Sequence, residues 1–165
     1  MKKYKKLFVL IFLFSMLTAL LLIKASAASQ AYGAGTVSAS ALNVRNEPSR
    51  TGTVTATIKG DSTVVILDIV SESWYHINSG GLDGYVAAMY ISDVGTVKNF
   101  NASGILNGDD VRMRSGPSTA DSNLGTYAKG AVMRIIGINN GWYKVQYNGM
   151  TGYIRSDFIT LISDA

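Results

Sequence analysis

Two tryptophans carry the most suggestive chemistry in this sequence. Trp74 opens the stretch Trp74-Tyr75-His76-Ile77, and Trp142 opens Trp142-Tyr143-Lys144-Val145. In an extended strand successive side chains alternate between faces. Lys144 belongs in water, so Trp142 is expected on the solvent side with it, while Tyr143 and Val145 turn inward. The same alternation sets Trp74 beside His76 and sends Tyr75 and Ile77 to the core. An indole held on a wet face can stack on sugar rings or flexible peptides, given amide and hydroxyl donors nearby. It can equally cover an end of the fold or pack under a loop. Arg45 and Arg114 follow Val44 and Met113, and face outward if those hydrophobes face in. There they either pair with carboxylates of an anionic ligand or brace the loop that follows.

Catalytic chemistry finds no comparable footing. The chain has no cysteine, which removes disulfides, thiol nucleophiles and thiolate metal sites. His76 is the only histidine, and Lys144 replaces it in the matching stretch. A lone histidine without further ligands is a surface residue far more often than a catalyst. Asp61, Asp68 and the Asp109-Asp110 pair lack a partner arrangement. Ser79-Gly80 and Ser115-Gly116 lack the strand-turn-helix setting of a nucleophile elbow, and no phosphate-binding glycine loop is present. The expectation is a protein that is not an enzyme and uses neither cofactor nor metal.

Charge is unevenly distributed. Lys+Arg number 15 and Asp+Glu 11, a net of +4. Five of the lysines, Lys2, Lys3, Lys5, Lys6 and Lys24, lie in the first 27 residues, which hold no acid. The remaining 138 residues carry 10 basic and 11 acidic side chains, a net of −1, which argues against nucleic-acid binding. Residues 1–27 have the order of a secretory signal: lysines, an apolar run from Leu7 to Ile23, then Ala25-Ser26-Ala27 as a cleavage site. The rival is a retained membrane anchor, although the apolar run is short for the ~20 residues of a spanning helix. Export to the cell exterior is expected either way, with membrane contact only through this segment if it is uncleaved.

The elements that must position the tryptophans occur twice. Pro48 and Pro117 lie 69 residues apart and Trp74 and Trp142 lie 68 apart. Lys59-Gly60 pairs with Lys129-Gly130, and Val64-Val65-Ile66-Leu67 with Arg134-Ile135-Ile136-Gly137. Gly84-Tyr85-Val86 followed by Tyr90-Ile91 pairs with Gly152-Tyr153-Ile154 followed by Phe158-Ile159. Landmarks kept in order at a near-constant offset mean two copies of one unit. Each copy has β-branched runs such as Thr63–Val70 and turn residues at Ser79-Gly80-Gly81 or Asn139-Asn140-Gly141. No sustained helical period is present. The expected organisation is a signal peptide over 1–27, a flexible lead-in over 28–35, one domain over 36–92, a linker over 93–102 and a second domain over 103–162. The fold class is all-β, with two small β-barrels in tandem, since closure protects strand edges in units of about 60 residues.

Each copy resembles a bacterial SH3-like (SH3b) domain. The resemblance rests on Leu42-Asn43-Val44-Arg45-x-x-Pro48-Ser49, Lys59-Gly60, Trp74-Tyr75 and Gly84-Tyr85-Val86-x-x-x-Tyr90-Ile91, with their counterparts in the second copy. It implies partly open barrels of five or six strands and a role in binding the bacterial cell wall or organising proteins that act on it. By similarity to the eukaryotic SH3 groove, Trp74 with Tyr90, and Trp142 with Phe158, would line two grooves. Ala87 and Arg155 stand where that groove has a proline, so proline-rich peptides are not the expected ligand. Phe158 lacks the tyrosine hydroxyl, so the second groove is expected to be weaker or purely structural.

The expected function is therefore an exported, wall-associated and non-catalytic protein that binds peptidoglycan stem peptides or another wall polymer. Its candidate ligand-binding residues are Trp74, Tyr90, Trp142, Phe158, Arg45 and Arg114. Two weak sites on a short linker would reinforce one another on a repetitive polymer. The alternative is an extracytoplasmic adaptor that binds another protein, or a regulator of a wall hydrolase.

Overall fold

The computed structural model describes residues 30–163; the expected signal segment of residues 1–27 lies outside them. The first copy contains β1 (Gly33–Val37), β2 (Ala41–Arg45), β3 (Val54–Lys59), β4 (Thr63–Ser71), β5 (Trp74–Ser79), β6 (Leu82–Ala87) and β7 (Ile91–Gly95). The second contains β8 (Val97–Leu106), β9 (Val111–Arg114), β10 (Asn123–Tyr127), β11 (Val132–Asn139), β12 (Trp142–Tyr147), β13 (Met150–Arg155) and β14 (Ile159–Ile162). The strand orders are β3-β2-β6-β5-β4-β1-β7 and β10-β9-β13-β12-β11-β8-β14, the same topology shifted by seven strands. All pairings are antiparallel. Among the described residues no helix is long and apolar enough to cross a membrane.

The duplication is borne out, with seven strands in each copy where five or six were expected. The additional strands occupy segments read as flexible. Residues 93–102, expected as a linker, run through the end of β7 into β8, and Phe100 is buried in the second core. Within residues 93–102, Lys98, Asn99 and Asn101 mask this strand because Phe100 is the one large inward side chain there. In the expected lead-in, the small residues serve close approach rather than freedom. A Cβ on Gly33 would stand 2.5 Å from the Gly95 carbonyl oxygen on the paired strand β7, and Ala31 and Ala34 are buried.

The first barrel closes on Val37, Leu42, Val44, Ile58, Val64, Ile66, Ile77, Val86 and Ile91. The second closes on residues that include Val111, Met113, Ile135, Tyr143, Val145 and Ile154, and its cluster continues into Ala31, Ala34 and Val65 of the first copy. Strand alternation explains the join: Val64 and Ile66 face their own core, while Val65 and Leu67 turn outward onto the other barrel. A strand buried on both faces reads as an unbroken apolar run. The barrels are thus packed together, which corrects the expectation of two sites held only by a short linker. Hydrogen bonds cross the seam: Ala31 N–H donates to Ser156 Oγ at 2.7 Å, Gln30 Nε2 to the Gly141 carbonyl at 3.1 Å, and Lys98 Nζ to Thr36 Oγ1 at 2.8 Å.

The register also corrects the repeat alignment in one strand. Ile66 pairs with Ile77 and Ile135 with Val145, so Ile66 corresponds to Ile135 and Val65 to Arg134. A one-residue slip exchanges the faces. The outward apolar Val65 of the first copy is therefore an exposed arginine in the second, where Arg134 Nη2 donates to Asn101 Oδ1 at 2.9 Å.

Candidate functional site

Each barrel carries a cleft at the same place, between the start of β2 or β9, the head of β5 or β12, and the turn that leaves β6 or β13. In the first copy that exit is a 3-10 turn, Ala88–Tyr90, tied down by the Ala88 N–H to the Ser73 carbonyl at 2.9 Å. The second repeats it with Ser156–Phe158 and the Ser156 N–H to the Gly141 carbonyl at 2.9 Å. The tie sets Tyr90 beside Trp74 and Phe158 beside Trp142. Close packing of β6 on β2 sets the floor: a Cβ on Gly84 would meet Val44 Cγ1 at 2.5 Å, and one on Gly152 would meet Met113 Cγ at 2.6 Å.

The first cleft encloses about 880 Å³ and is lined by Trp74, Tyr75, Tyr90, Leu42, Arg45 and Met89, with Asn43, Arg50, Glu72 and Ser73 as polar edges. The second encloses about 240 Å³ and is lined by Trp142, Phe158, Arg114, Arg155, Arg112, Val111 and Thr119, with Asp109 and Asp110 at the rim. All six candidate residues thus fall into two equivalent clefts, three in each. Tyr90 is 41 % and Phe158 39 % exposed, so both rings face solvent.

Alternation along β12 holds for the inward residues, with Tyr143 and Val145 buried. Trp142 keeps the opposite face and lines the cleft, but it is only 7 % exposed where an exposed indole was expected, whereas Trp74 is half-buried. The residue registered opposite Trp142 is Arg155, and opposite Trp74 it is Ala87. Arg155 Nε donates to Asp157 Oδ1 at 2.8 Å, its Nη2 bonds Asp157 Oδ2, and its guanidinium lies 5.0 Å from the centre of the Phe158 ring. The hydrogen bond that Arg155 donates to Asp157 raises its pKa above the ordinary value, so the guanidinium stays charged.

Arg45 and Arg114 line the clefts and also brace the following loops. Arg45 Nη1 donates to the Gly52 carbonyl and Arg114 Nη1 to the Asp121 carbonyl at 2.8 Å, each seven residues on. The same loops are pinned by Thr51 N–H to Ser49 Oγ and Ala120 N–H to Ser118 Oγ, both at 3.1 Å. These turns follow Pro48 and Pro117, whose fixed backbone angle favours a turn at that place.

Two of the residues weighed for catalysis, His76 and Asp109, have other partners. His76 Nε2 lies 2.9 Å from Asp83 Oδ1 and its ring stacks on Tyr85 at 4.8 Å. Asp109 Oδ1 accepts the Lys129 N–H at 3.0 Å. Among the described residues no group of three or more His, Cys, Asp or Glu side chains is placed to hold a metal. Sequence reasoning missed Arg50, Glu72 and Met89 as cleft residues. Only the position of Met89, just before Tyr90 at the exit turn, hinted at it.

Comparison with known proteins fits this architecture. The bacterial SH3 domain family matches residues 40–92 and 109–160. The chain belongs to that family and carries two copies of its domain. It is 30 % identical over 161 residues to the Bacillus subtilis (strain 168) protein named "Putative N-acetylmuramoyl-L-alanine amidase YrvJ", covering 94 % of this chain and 31 % of that one. The chain thus spans about a third of that relative's length. Among solved structures it is similar to NlpC2 from Trichomonas vaginalis (TM-score 0.39, 17 % identity, 79 % of this chain and 48 % of that one). It is also similar to the structure titled "Endolysin LysPBC5 CBD" (TM-score 0.32, 12 % identity, 82 % and 97 %).

Proposed function

We propose that this is an exported, wall-associated binding protein, itself non-catalytic, whose barrels hold peptidoglycan. The observation that carries the reading is the open cleft in which the half-buried Trp74 and the exposed Tyr90 stand with Asn43, Arg45, Arg50 and Glu72. Aromatic faces accept the apolar faces of sugar rings. Amide and charged groups of both signs at the rim suit a stem peptide, which carries carboxylates and amines. The relative's name refers to the bond between N-acetylmuramic acid and L-alanine, where glycan and stem peptide meet, and this supports the choice of polymer.

The test is co-sedimentation of the purified protein with purified sacculi. Binding that Trp74→Ala weakens about tenfold supports the reading. A protein that stays in the supernatant at low salt, and instead retains one stoichiometric exported protein in a pull-down, overturns it in favour of the adaptor or hydrolase-regulator role.

A further inference from the structure

The two clefts differ at one registered pair. Trp74 faces Ala87 across β5 and β6, and Trp142 faces Arg155 across β12 and β13. Registered residues of an antiparallel pair stand on one face of the sheet, their Cβ atoms about 5 Å apart. Alanine therefore leaves the neighbouring indole open, while the long stem of an arginine lies along it. The next residues reinforce the difference. Asp157 holds the Arg155 guanidinium on Phe158 in the second copy; its counterpart in the first is Met89, 73 % exposed and unable to hold a cation. The first cleft is accordingly about 880 Å³ and the second about 240 Å³, and Trp142 is buried where Trp74 is only half-buried.

Building on the reading of these clefts as wall-binding sites, we infer that the copies divide the work. The first cleft takes the glycan–peptide ligand, and Arg155, latched by Asp157 and Phe158, closes the second. Ala87 and Arg155 are then the residues that decide which cleft is open. The second barrel contributes its packing against Ala31, Ala34 and Val65.

Acrylamide quenching of single-tryptophan variants tests the closure without any ligand. Trp74→Phe leaves Trp142 as the reporter, and Trp142→Phe leaves Trp74. Trp142 should be quenched several-fold less than Trp74. Arg155→Ala should raise its quenching towards that of Trp74, as should the gentler Asp157→Asn if Arg155→Ala does not fold. Trp142 quenching unchanged in a folded variant overturns the closure. The paired change Ala87→Arg with Met89→Asp should shield Trp74 and lower sacculus binding about tenfold, whereas Arg155→Ala should keep that binding. If Trp74 becomes shielded but sacculus binding is unchanged, closure stands and the wall-binding reading of the first cleft falls. If Arg155→Ala abolishes sacculus binding in a folded protein, the division of work is wrong.

Discussion

Ser156 joins the two barrels through a single hydroxyl: it accepts the Ala31 N–H at 2.7 Å and donates to the Gly141 carbonyl at 2.7 Å. Its counterpart in the first copy, Ala88, has no hydroxyl to do this. The seam is therefore a feature of the pair and not of the repeated unit, and it is continuous with the apolar contact of Ala31, Ala34 and Val65 on the second core.

Ser156→Ala would leave the buried Ala31 N–H without its acceptor, at a cost of about 1–3 kcal/mol. Urea denaturation should show this loss, and hydrogen exchange should show faster exchange at Ala31 while Ile77 and Ile154 remain protected. Unchanged exchange at Ala31 would mean that the seam does not hold the segment.

Because Val65 lies in the second barrel's core, the barrels should unfold together. Single-tryptophan variants reporting from Trp74 and Trp142 should give coincident urea curves. Val65→Ala should shift both by about 1–3 kcal/mol. Two separated transitions, with only the first moved by Val65→Ala, would contradict the shared core.

Arg45 and Arg114 hold loop carbonyls in both copies, a role that does not depend on ligand. Arg114→Ala should loosen the loop of residues 115–122, read as faster amide exchange there, and cost about 1 kcal/mol. Because its cleft is the closed one, sacculus binding should stay within about twofold. A large loss of binding with an unchanged loop would make Arg114 a ligand contact instead.

Burial raises the Tyr143 phenol pKa above its ordinary value of about 10. A group whose folded pKa is raised contributes stability that is complete below its unfolded pKa and is lost as pH rises beyond it. Thermal stability should therefore be insensitive to this group from pH 6 to about 9 and fall above about pH 10. Tyr143→Phe should flatten that alkaline fall. A fall equally steep in Tyr143→Phe would assign it to other groups.

The limits of sequence reasoning here have identifiable physical causes. Repeated prolines, glycines and tryptophans announced the two copies because turns, close approaches and the head of β5 each demand a particular residue type. The six cleft candidates were legible for the same reason. Strands β1 and β8 were not, since glycine and alanine in β1 meet a neighbouring backbone, and the first half of β8 hides one inward Phe100 among polar residues. The slip between Val65 and Arg134 arose because four apolar residues in a row do not declare which pair faces the core. What stands across the ladder from each tryptophan, Ala87 or Arg155, is a cross-strand relation that periodicity along one strand cannot reveal.

The central claim is that the cleft beside Trp74 receives a wall fragment. It is tested most directly by NMR titration with a soluble muropeptide, a disaccharide bearing its stem peptide, up to millimolar concentration. The account predicts saturable shifts of the Trp74 indole N–H and the Tyr90 ring, with the core signals of Ile77 and Val86 unmoved. No shift at Trp74 and Tyr90, or saturable shifts confined to residues outside this cleft, would contradict it.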